Sequence, residues 1–146
     1  MSLGEGVEVP PPLLVVDAAN VVGSVPDGWW RDRRGAAERL RDALVPVAAR
    51  GLAGRPGAPR WAQAGPVEVV LVVEGAARGV EGLPGTGVAV VAAPGSGDDR
   101  ITELVAAARS THPHRECLVV TADRGLRARV TALGAEVCGP RTVRPA

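Results

Sequence analysis

Residues 13–17, Leu-Leu-Val-Val-Asp, decide the fold of this chain. The four aliphatic residues follow one another without a polar residue between them, which predicts a strand covered on both faces. Asp17 ends the run, and the chain then turns through residues 18–23 (Ala-Ala-Asn-Val-Val-Gly). A doubly buried strand of this kind is typical of a parallel sheet with helices on both sides.

The rest of the chain continues the alternation of apolar strands and amphipathic helices. Further strands are predicted at residues 67–73, 87–92, 117–120 and 135–138, and helices at residues 29–50, 98–110 and 123–133. Pro46 is expected to kink or shorten the first helix. The order of elements predicts a three-layer α/β domain with a mainly parallel five-stranded sheet over residues 13–146. Residues 1–12, which end in three prolines, are predicted to be a disordered leader.

Composition excludes several kinds of site. All 17 basic residues of the 146 are Arg, so the chain has no Lys for a P-loop, a Schiff base or a phospho-accepting receiver domain. Its two cysteines stand apart from any Cys/His cluster, which argues against zinc and predicts reduced, buried thiols. No apolar run has membrane-spanning length and the start lacks a secretory pattern, so a cytoplasmic protein without a membrane partner is expected, as a monomer or homodimer.

Acidic residues follow the predicted strands at places that meet along one edge of the sheet. Asp17 ends the first strand, Glu74 follows the second, and Asp123 follows the fourth. Asp98 and Asp99 open the helix after the third strand. Carboxylates brought together in this way raise one another's pKa unless a cation compensates their charge. Oxygen ligands without Cys or His suit Mg²⁺ or Mn²⁺, and phosphodiester hydrolysis is the natural reaction for such an ion.

Each of these acids also has a structural interpretation. Asp98, Asp99 or Asp123 would serve as a helix N-cap, and Asp17 with Asn20 would stabilise a turn. Capping alone does not explain why an acid follows strand after strand at the same edge. A metal site is therefore the favoured interpretation, with the caps as its alternative.

Three segments, taken together, resemble the YacP-like branch of the NYN-domain family. Residues 15–23 (Val-Val-Asp-Ala-Ala-Asn-Val-Val-Gly) resemble that branch's strand end, Asp-Gly-Tyr-Asn followed by two hydrophobic residues and Gly. Residues 97–101 (Gly-Asp-Asp-Arg-Ile) resemble its Ala-Asp-Asp-x-Ile helix start, and residues 119–123 (Val-Val-Thr-Ala-Asp) its Val-Val-Thr-Ser-Asp. The order and spacing agree over residues 13–138.

NYN domains are similar to PIN domains, so the resemblance implies a PIN-like (NYN) topology and a metal-dependent endoribonuclease that hydrolyses RNA phosphodiester bonds with Mg²⁺ or Mn²⁺. The implied catalytic residues and metal ligands are Asp17, Asp98, Asp99 and Asp123. Glu74 is a further implied ligand, although it stands where the family more often has Asp. Asn20 is implied to hold the first loop or contact the substrate. Ala19 replaces an aromatic residue of the family pattern.

Several residues near this edge suit contact with an RNA strand, because aromatic rings stack on bases and Arg binds phosphate. The substrate-binding candidates are Asn20, Trp29, Arg31, Arg34, Arg100, Thr121 and Arg124. A Trp that fills the core, and an Arg that pairs with a neighbouring acid, are the alternatives. Arg127 and Arg129 are interpreted as a solvated helix face, and His112 and His114 as surface-loop residues.

Two other functions stay open. One is a non-catalytic NYN module that binds RNA or associates with the ribosome through a degraded site. The other is a nucleotide pyrophosphohydrolase, which the absence of helical Glu-x-x-Glu repeats disfavours.

Overall fold

A single sheet of five parallel strands organises the protein, whose computed structural model describes residues 9–144. The strands are β1 (Leu13–Asp17), β2 (Glu68–Val73), β3 (Val88–Ala92), β4 (Cys117–Val120) and β5 (Glu136–Cys138), in the order β3-β2-β1-β4-β5. Every pairing is parallel, so the α/β prediction is confirmed and the sheet is parallel throughout the described chain. Residues 1–8 of the predicted leader lie outside the described residues.

Helices cover both faces of this sheet. They are α1 (Ala18–Val22), α2 (Arg33–Ala43), α3 (Val45–Arg50), α4 (Gly97–Thr111) and α5 (Arg124–Ala132). Alternate residues of β1 point to opposite faces: Leu14 and Val16 pack under α1 to α3, whereas Leu13 and Val15 pack under α4 and α5. Two aliphatic cores, one on each side of the sheet, give the three layers expected from the sequence.

The long helix predicted over residues 29–50 starts later than expected, whereas the interruption expected near Pro46 is confirmed. Trp29–Arg31 form a single 3₁₀ turn after Gly28, whose φ of 86° lies in the left-handed region that favours glycine. Asp32 then caps α2, its carboxylate accepting a 2.9 Å hydrogen bond from the Gly35 amide. The helical path is divided at Leu44, and Pro46 sits in the first turn of α3, where a missing amide N–H costs no hydrogen bond.

The strand order fixes where a ligand site is expected. The chain runs from β1 outward through β2 to β3, and then returns to place β4 on the other side of β1. Such a reversal leaves a crevice at the carboxyl ends of the two strands that diverge, here β1 and β4. Over residues 9–144, no helix is both long and apolar enough to cross a membrane.

Candidate active site at the carboxyl edge of the sheet

Asp17 occupies the crevice between β1 and β4. The register pairs Val16 with Val120, which brings the next residue of each strand, Asp17 and Thr121, side by side. The Thr121 hydroxyl donates a 2.9 Å hydrogen bond to Asp17 Oδ2, and the backbone N–H of Asn20 donates a 3.4 Å hydrogen bond to Oδ1. Asp17 is only 4% exposed, so its carboxylate is buried and oriented from both sides.

The acid that follows β2 extends the same face of the sheet. Val15 and Val72 pack under α4 and α5, so the alternation of side chains also directs Asp17 and Glu74 toward this layer. Glu74 is half-buried against the start of α4, where a Cβ on Gly97 would lie 3.1 Å from Glu74 Oε1. Glycine at position 97 therefore allows the start of α4 to approach the carboxylate closely, a role that no sequence pattern indicated.

Asp98 and Asp99 diverge although they are neighbours in sequence. Neither caps α4, because the Ser96 hydroxyl accepts the hydrogen bond of the Asp98 amide at 3.1 Å. Asp98 is half-buried and electrostatically coupled to Asp123 and Glu74, whereas Asp99 is exposed and pairs with Arg129 at 3.0 Å. Arg129 is exposed, as expected for a solvated helix face, and its salt bridge holds Asp99 on that face.

The loop after β4 is tied to the loop after β1. Asn20 Oδ1 accepts a 2.8 Å hydrogen bond from the Ala122 amide, so its side chain holds the two loops together. Asp123 caps α5 by accepting a 2.8 Å hydrogen bond from the Leu126 amide at Oδ1. The N-cap interpretation of Asp123 is confirmed. It leaves Oδ2 of the exposed carboxylate without a hydrogen bond from residues 9–144.

The four acids Asp17, Glu74, Asp98 and Asp123 are called here the acidic edge. Burial, above all, raises the pKa of Asp17 to about 6, and the charges of Asp98 and Glu74 add to this, while the hydrogen bonds from Thr121 and Asn20 lower it. The pKa of Asp98 is also raised, by burial and by the neighbouring carboxylates, with Arg129 opposing the shift. The edge therefore gathers negative charge that its own cations do not balance.

This edge has the ligand chemistry of a hard divalent cation, but its carboxylates do not yet surround one. All of its donors are carboxylate oxygens, the ligand type that Mg²⁺ and Mn²⁺ prefer. Within the described part of the chain, no three Asp, Glu, His or Cys side chains are grouped closely enough to hold an ion. The carboxylate oxygens thus fit Mg²⁺ or Mn²⁺ by type. Binding of the ion would require side chains of the acidic edge to rotate toward a shared position.

The substrate-binding candidates divide into two groups. Asn20 and Thr121 are inside the site, where they orient Asp17 and its loop. Trp29 is partly buried against the core and meets the half-exposed Trp30 edge to face, with ring centroids 6.1 Å apart. Arg31 lies over the Trp30 ring at 5.8 Å. This aromatic and basic surface begins one short helix away from Asp17.

The other basic candidates make local contacts. Arg34 pairs with Glu38 at 3.6 Å, and Arg100 pairs with Glu103 at 3.3 Å rather than with the acid that precedes it. Arg124 is exposed in the first turn of α5. The sequence also misassigned Arg127, whose Nε donates a 2.8 Å hydrogen bond to the Thr121 carbonyl and so supports the loop that carries Thr121.

Solved structures with the same fold are known. The structure of Rae1 (YacP) from Bacillus subtilis superimposes with a TM-score of 0.63 and 20% sequence identity, covering 90% of this chain and 70% of that one. Its W164L mutant gives a TM-score of 0.61 and 19% identity with the same coverage. No protein-family model and no curated protein matches the sequence. The chain has a YacP-like fold.

Proposed function

We propose that this protein is a metal-dependent endoribonuclease whose active site is the acidic edge. The observation that carries the proposal is Asp17: a buried carboxylate at the point where the strand order reverses, oriented by two hydrogen bonds and surrounded by further acids. Burying a carboxylate among like charges is unfavourable for folding, and such arrangements concentrate at functional sites. The YacP-like fold supports the same proposal.

Mg²⁺ or Mn²⁺ is the proposed cofactor. Asp17 and Asp98 are its proposed principal ligands, with Glu74 and Asp123 as the acids that complete the set. When bound, such an ion neutralises the acids and polarises a phosphate oxygen. Asp99 becomes the weakest member of the ligand set implied by the family resemblance, because its carboxylate is engaged by Arg129.

The surrounding residues have separate tasks in this proposal. The Thr121 hydroxyl and the Asn20 backbone N–H orient Asp17, and the Asn20 side chain ties the loop after β1 to the loop after β4. Above pH 6 Asp17 is mostly ionised and presents its charge to the cation and the phosphodiester. Trp29, Trp30 and Arg31 lie beside the edge and would contact the bases and phosphates of an RNA strand.

The deciding experiment is cleavage of a mixed-sequence single-stranded RNA pool, with Mn²⁺ or with chelator. Asp17→Asn is the test variant, and Asp42→Asn is its matched control, since Asp42 is exposed on α2 away from the edge. We expect internal cleavage by the wild type and by Asp42→Asn. Asp17→Asn should be slower by at least about a hundredfold, because even the outer partners of metal ligands contribute roughly 10- to 100-fold. Unchanged cleavage by Asp17→Asn in a clean preparation would refute the assignment.

A second candidate is a non-catalytic module that binds RNA, alone or on the ribosome. It is favoured by one observation, that no three potential ligands of the described residues are already grouped around an ion position. Calorimetric titration with Mn²⁺ separates the two. Heat of binding in the wild type that is lost in Asp17→Asn supports the nuclease. No heat, together with RNA affinity that chelator leaves unchanged, supports the module. Turnover of free nucleoside triphosphates without RNA cleavage would instead indicate a pyrophosphohydrolase.

A further inference from the structure

A pocket opens beside the acidic edge on the α1–α2 side of the sheet. Its volume is about 320 Å³, at the lower end of the roughly 300–1,000 Å³ range typical of small-molecule sites. Glu74 lines it, so the pocket and the acidic edge share a residue. Ala18 and Ala19, the two residues that follow Asp17, form part of its wall. Whatever enters this pocket therefore lies next to the proposed site of cleavage.

The pocket combines an apolar wall with a flat, positively charged one. Small aliphatic side chains of α1 and α2 line one side, among them Val22 and Ala37. On the other side the Arg33 guanidinium stacks over the Trp29 ring, 5.4 Å from its centroid. Arg33 has no acid within ion-pairing distance anywhere in residues 9–144. Its charge thus remains available to a ligand.

We propose that this pocket binds an unstacked nucleobase of the RNA strand, next to the phosphodiester held at the acidic edge. The inference rests on the proposed function, because that function makes RNA the molecule that carries the base. RNA-binding proteins hold splayed bases on aromatic rings and on guanidinium planes, and the Trp29–Arg33 stack offers both.

Charge and shape together favour a nucleotide over an uncharged apolar ligand. A nucleobase carries a ribose phosphate, and the free guanidinium of Arg33 at the pocket can contact that phosphate. The neighbouring Trp30 is half exposed, with Arg31 over its ring, and continues the stacking surface away from the pocket. A strand with one base in the pocket would have a second stacking position along the same surface.

The test uses the indole N–H signal of Trp29 in ¹⁵N NMR spectra, assigned with Trp29→Phe, in chelator so that no cleavage interferes. The probes are the four nucleoside 5′-monophosphates, ribose 5-phosphate and short homopolymeric RNA oligonucleotides. We expect the monophosphates to shift the Trp29 signal and ribose 5-phosphate to leave it unchanged. The oligonucleotides should bind more tightly than the monophosphates, because the RNA backbone adds contacts.

Two variants and a control locate the binding. Ala19→Phe fills the mouth of the pocket from an exposed position on α1, and should weaken binding about tenfold or more, in line with the typical contribution of one stacked base. Arg33→Gln, also exposed, should weaken it without touching the core. Ala107→Phe adds the same side chain on the exposed face of α4 and should bind like the wild type.

The possible results separate this inference from the proposed function. Equal shifts with ribose 5-phosphate, no shift with any probe, or unchanged binding in Ala19→Phe would each overturn the base pocket. Triphosphates that bind more tightly than RNA and are hydrolysed would overturn RNA as the source of the base. If the monophosphates bind as expected but no RNA is cleaved with Mn²⁺, the pocket stands and the nuclease assignment falls.

Discussion

The two edges of this sheet each bury a charge, and they treat it in opposite ways. At the amino edge, Arg115 is 9% exposed, donates a 2.8 Å hydrogen bond to the Pro11 carbonyl, and forms an ion pair with Glu68. At the carboxyl edge, Asp17 is 4% exposed and faces Asp98 and Glu74, which carry the same sign of charge. A compensated charge serves the fold, whereas an uncompensated one indicates an external ligand.

The largest expected effect on stability comes from removing the buried charge at the amino edge. Arg115→Ala removes a buried guanidinium that links the starts of β1, β2 and β4. We expect the free energy of unfolding to fall by about 3–4 kcal/mol, since each hydrogen bond to a charged group contributes roughly 1.5–3 kcal/mol. Urea denaturation measures the loss. Arg50→Ala, exposed at the end of α3, is the control and should change stability little. A loss equally small in Arg115→Ala would show that the pair is not structural.

At the carboxyl edge, removing the buried charge should raise the free energy of unfolding instead of lowering it. The pKa of Asp17 is about 6 in the folded chain against an ordinary value of 3.8, so the folded state holds its proton more tightly and stability decreases as the pH rises from about 4 to 6. At pH 7, in chelator, Asp17→Asn should therefore be more stable than the wild type by up to about 3 kcal/mol.

The gain of Asp17→Asn should disappear below pH 4, where the wild-type carboxyl is protonated in both states. Thermal or urea unfolding over pH 4–8 measures this, with Asp42→Asn as a control that lacks the trend. A destabilised Asp17→Asn at pH 7 would mean that the edge already compensates its charge internally.

A bound cation should compensate the charge of Asp17 at the carboxyl edge, as Glu68 compensates the charge of Arg115 at the amino edge. Mn²⁺ at a hundredfold excess over its dissociation constant should stabilise the wild type by about 2.7 kcal/mol. The stabilisation should vanish in Asp17→Asn and persist in Asp99→Asn, because Asp99 is directed to Arg129. Thermal shifts with Mn²⁺, Mg²⁺ and chelator make the comparison. Equal loss in both variants would place Asp99 among the ligands after all.

The smallest effect concerns the link between the loops. Asn20→Ala removes one side-chain hydrogen bond, at a cost of about 1 kcal/mol in unfolding free energy. RNA cleavage should fall about tenfold, because the loop that carries Thr121, the hydroxyl donor to Asp17, is held less firmly. Gln63→Ala deletes side-chain amide hydrogen bonds away from the site, one to the Ala58 carbonyl and a longer one, at 3.4 Å, from the Gly54 amide. It should lose at least as much stability and keep full cleavage. Parallel losses of cleavage in both variants would indicate a general effect of stability.

Much of this arrangement could be predicted from residue order. Runs such as residues 117–120 have no polar residue to expose, so they could only become buried strands, and parallel strands necessarily end together. This is why Asp17 and Asp123 were expected at one edge. Asn20 and Thr121 were expected as substrate contacts, and the family resemblance also implied that Asn20 holds the first loop. The hydrogen bond from Thr121 to Asp17 was not predicted.

The other features of the site depend on how helices are rotated and spaced in the folded protein, which the order of residues does not specify. Whether Asp98 or Asp99 faces the site is decided by how Ser96 caps α4 and how α5 places Arg129 against it. The start of α2 depends on the Asp32 cap, which competes with the helical spacing that suggested a start at Trp29. The pocket is lined by residues of α1 and α2 together with Glu74, which are distant in sequence, and no local pattern encodes how they come together.

The hydrogen bonds that complete the acidic edge join residues very far apart in the chain. Asp17 is separated from Thr121 by 104 positions, and Asn20 from Ala122 by 102. Contacts of such long range form late, because the loop between them must be closed first. During synthesis, a chain that lacks β4 and the loop after it has Asp17 but not Thr121, which orients it across the crevice. A protein proposed to cut RNA would thus be inactive until β4 has been synthesised and has paired with β1.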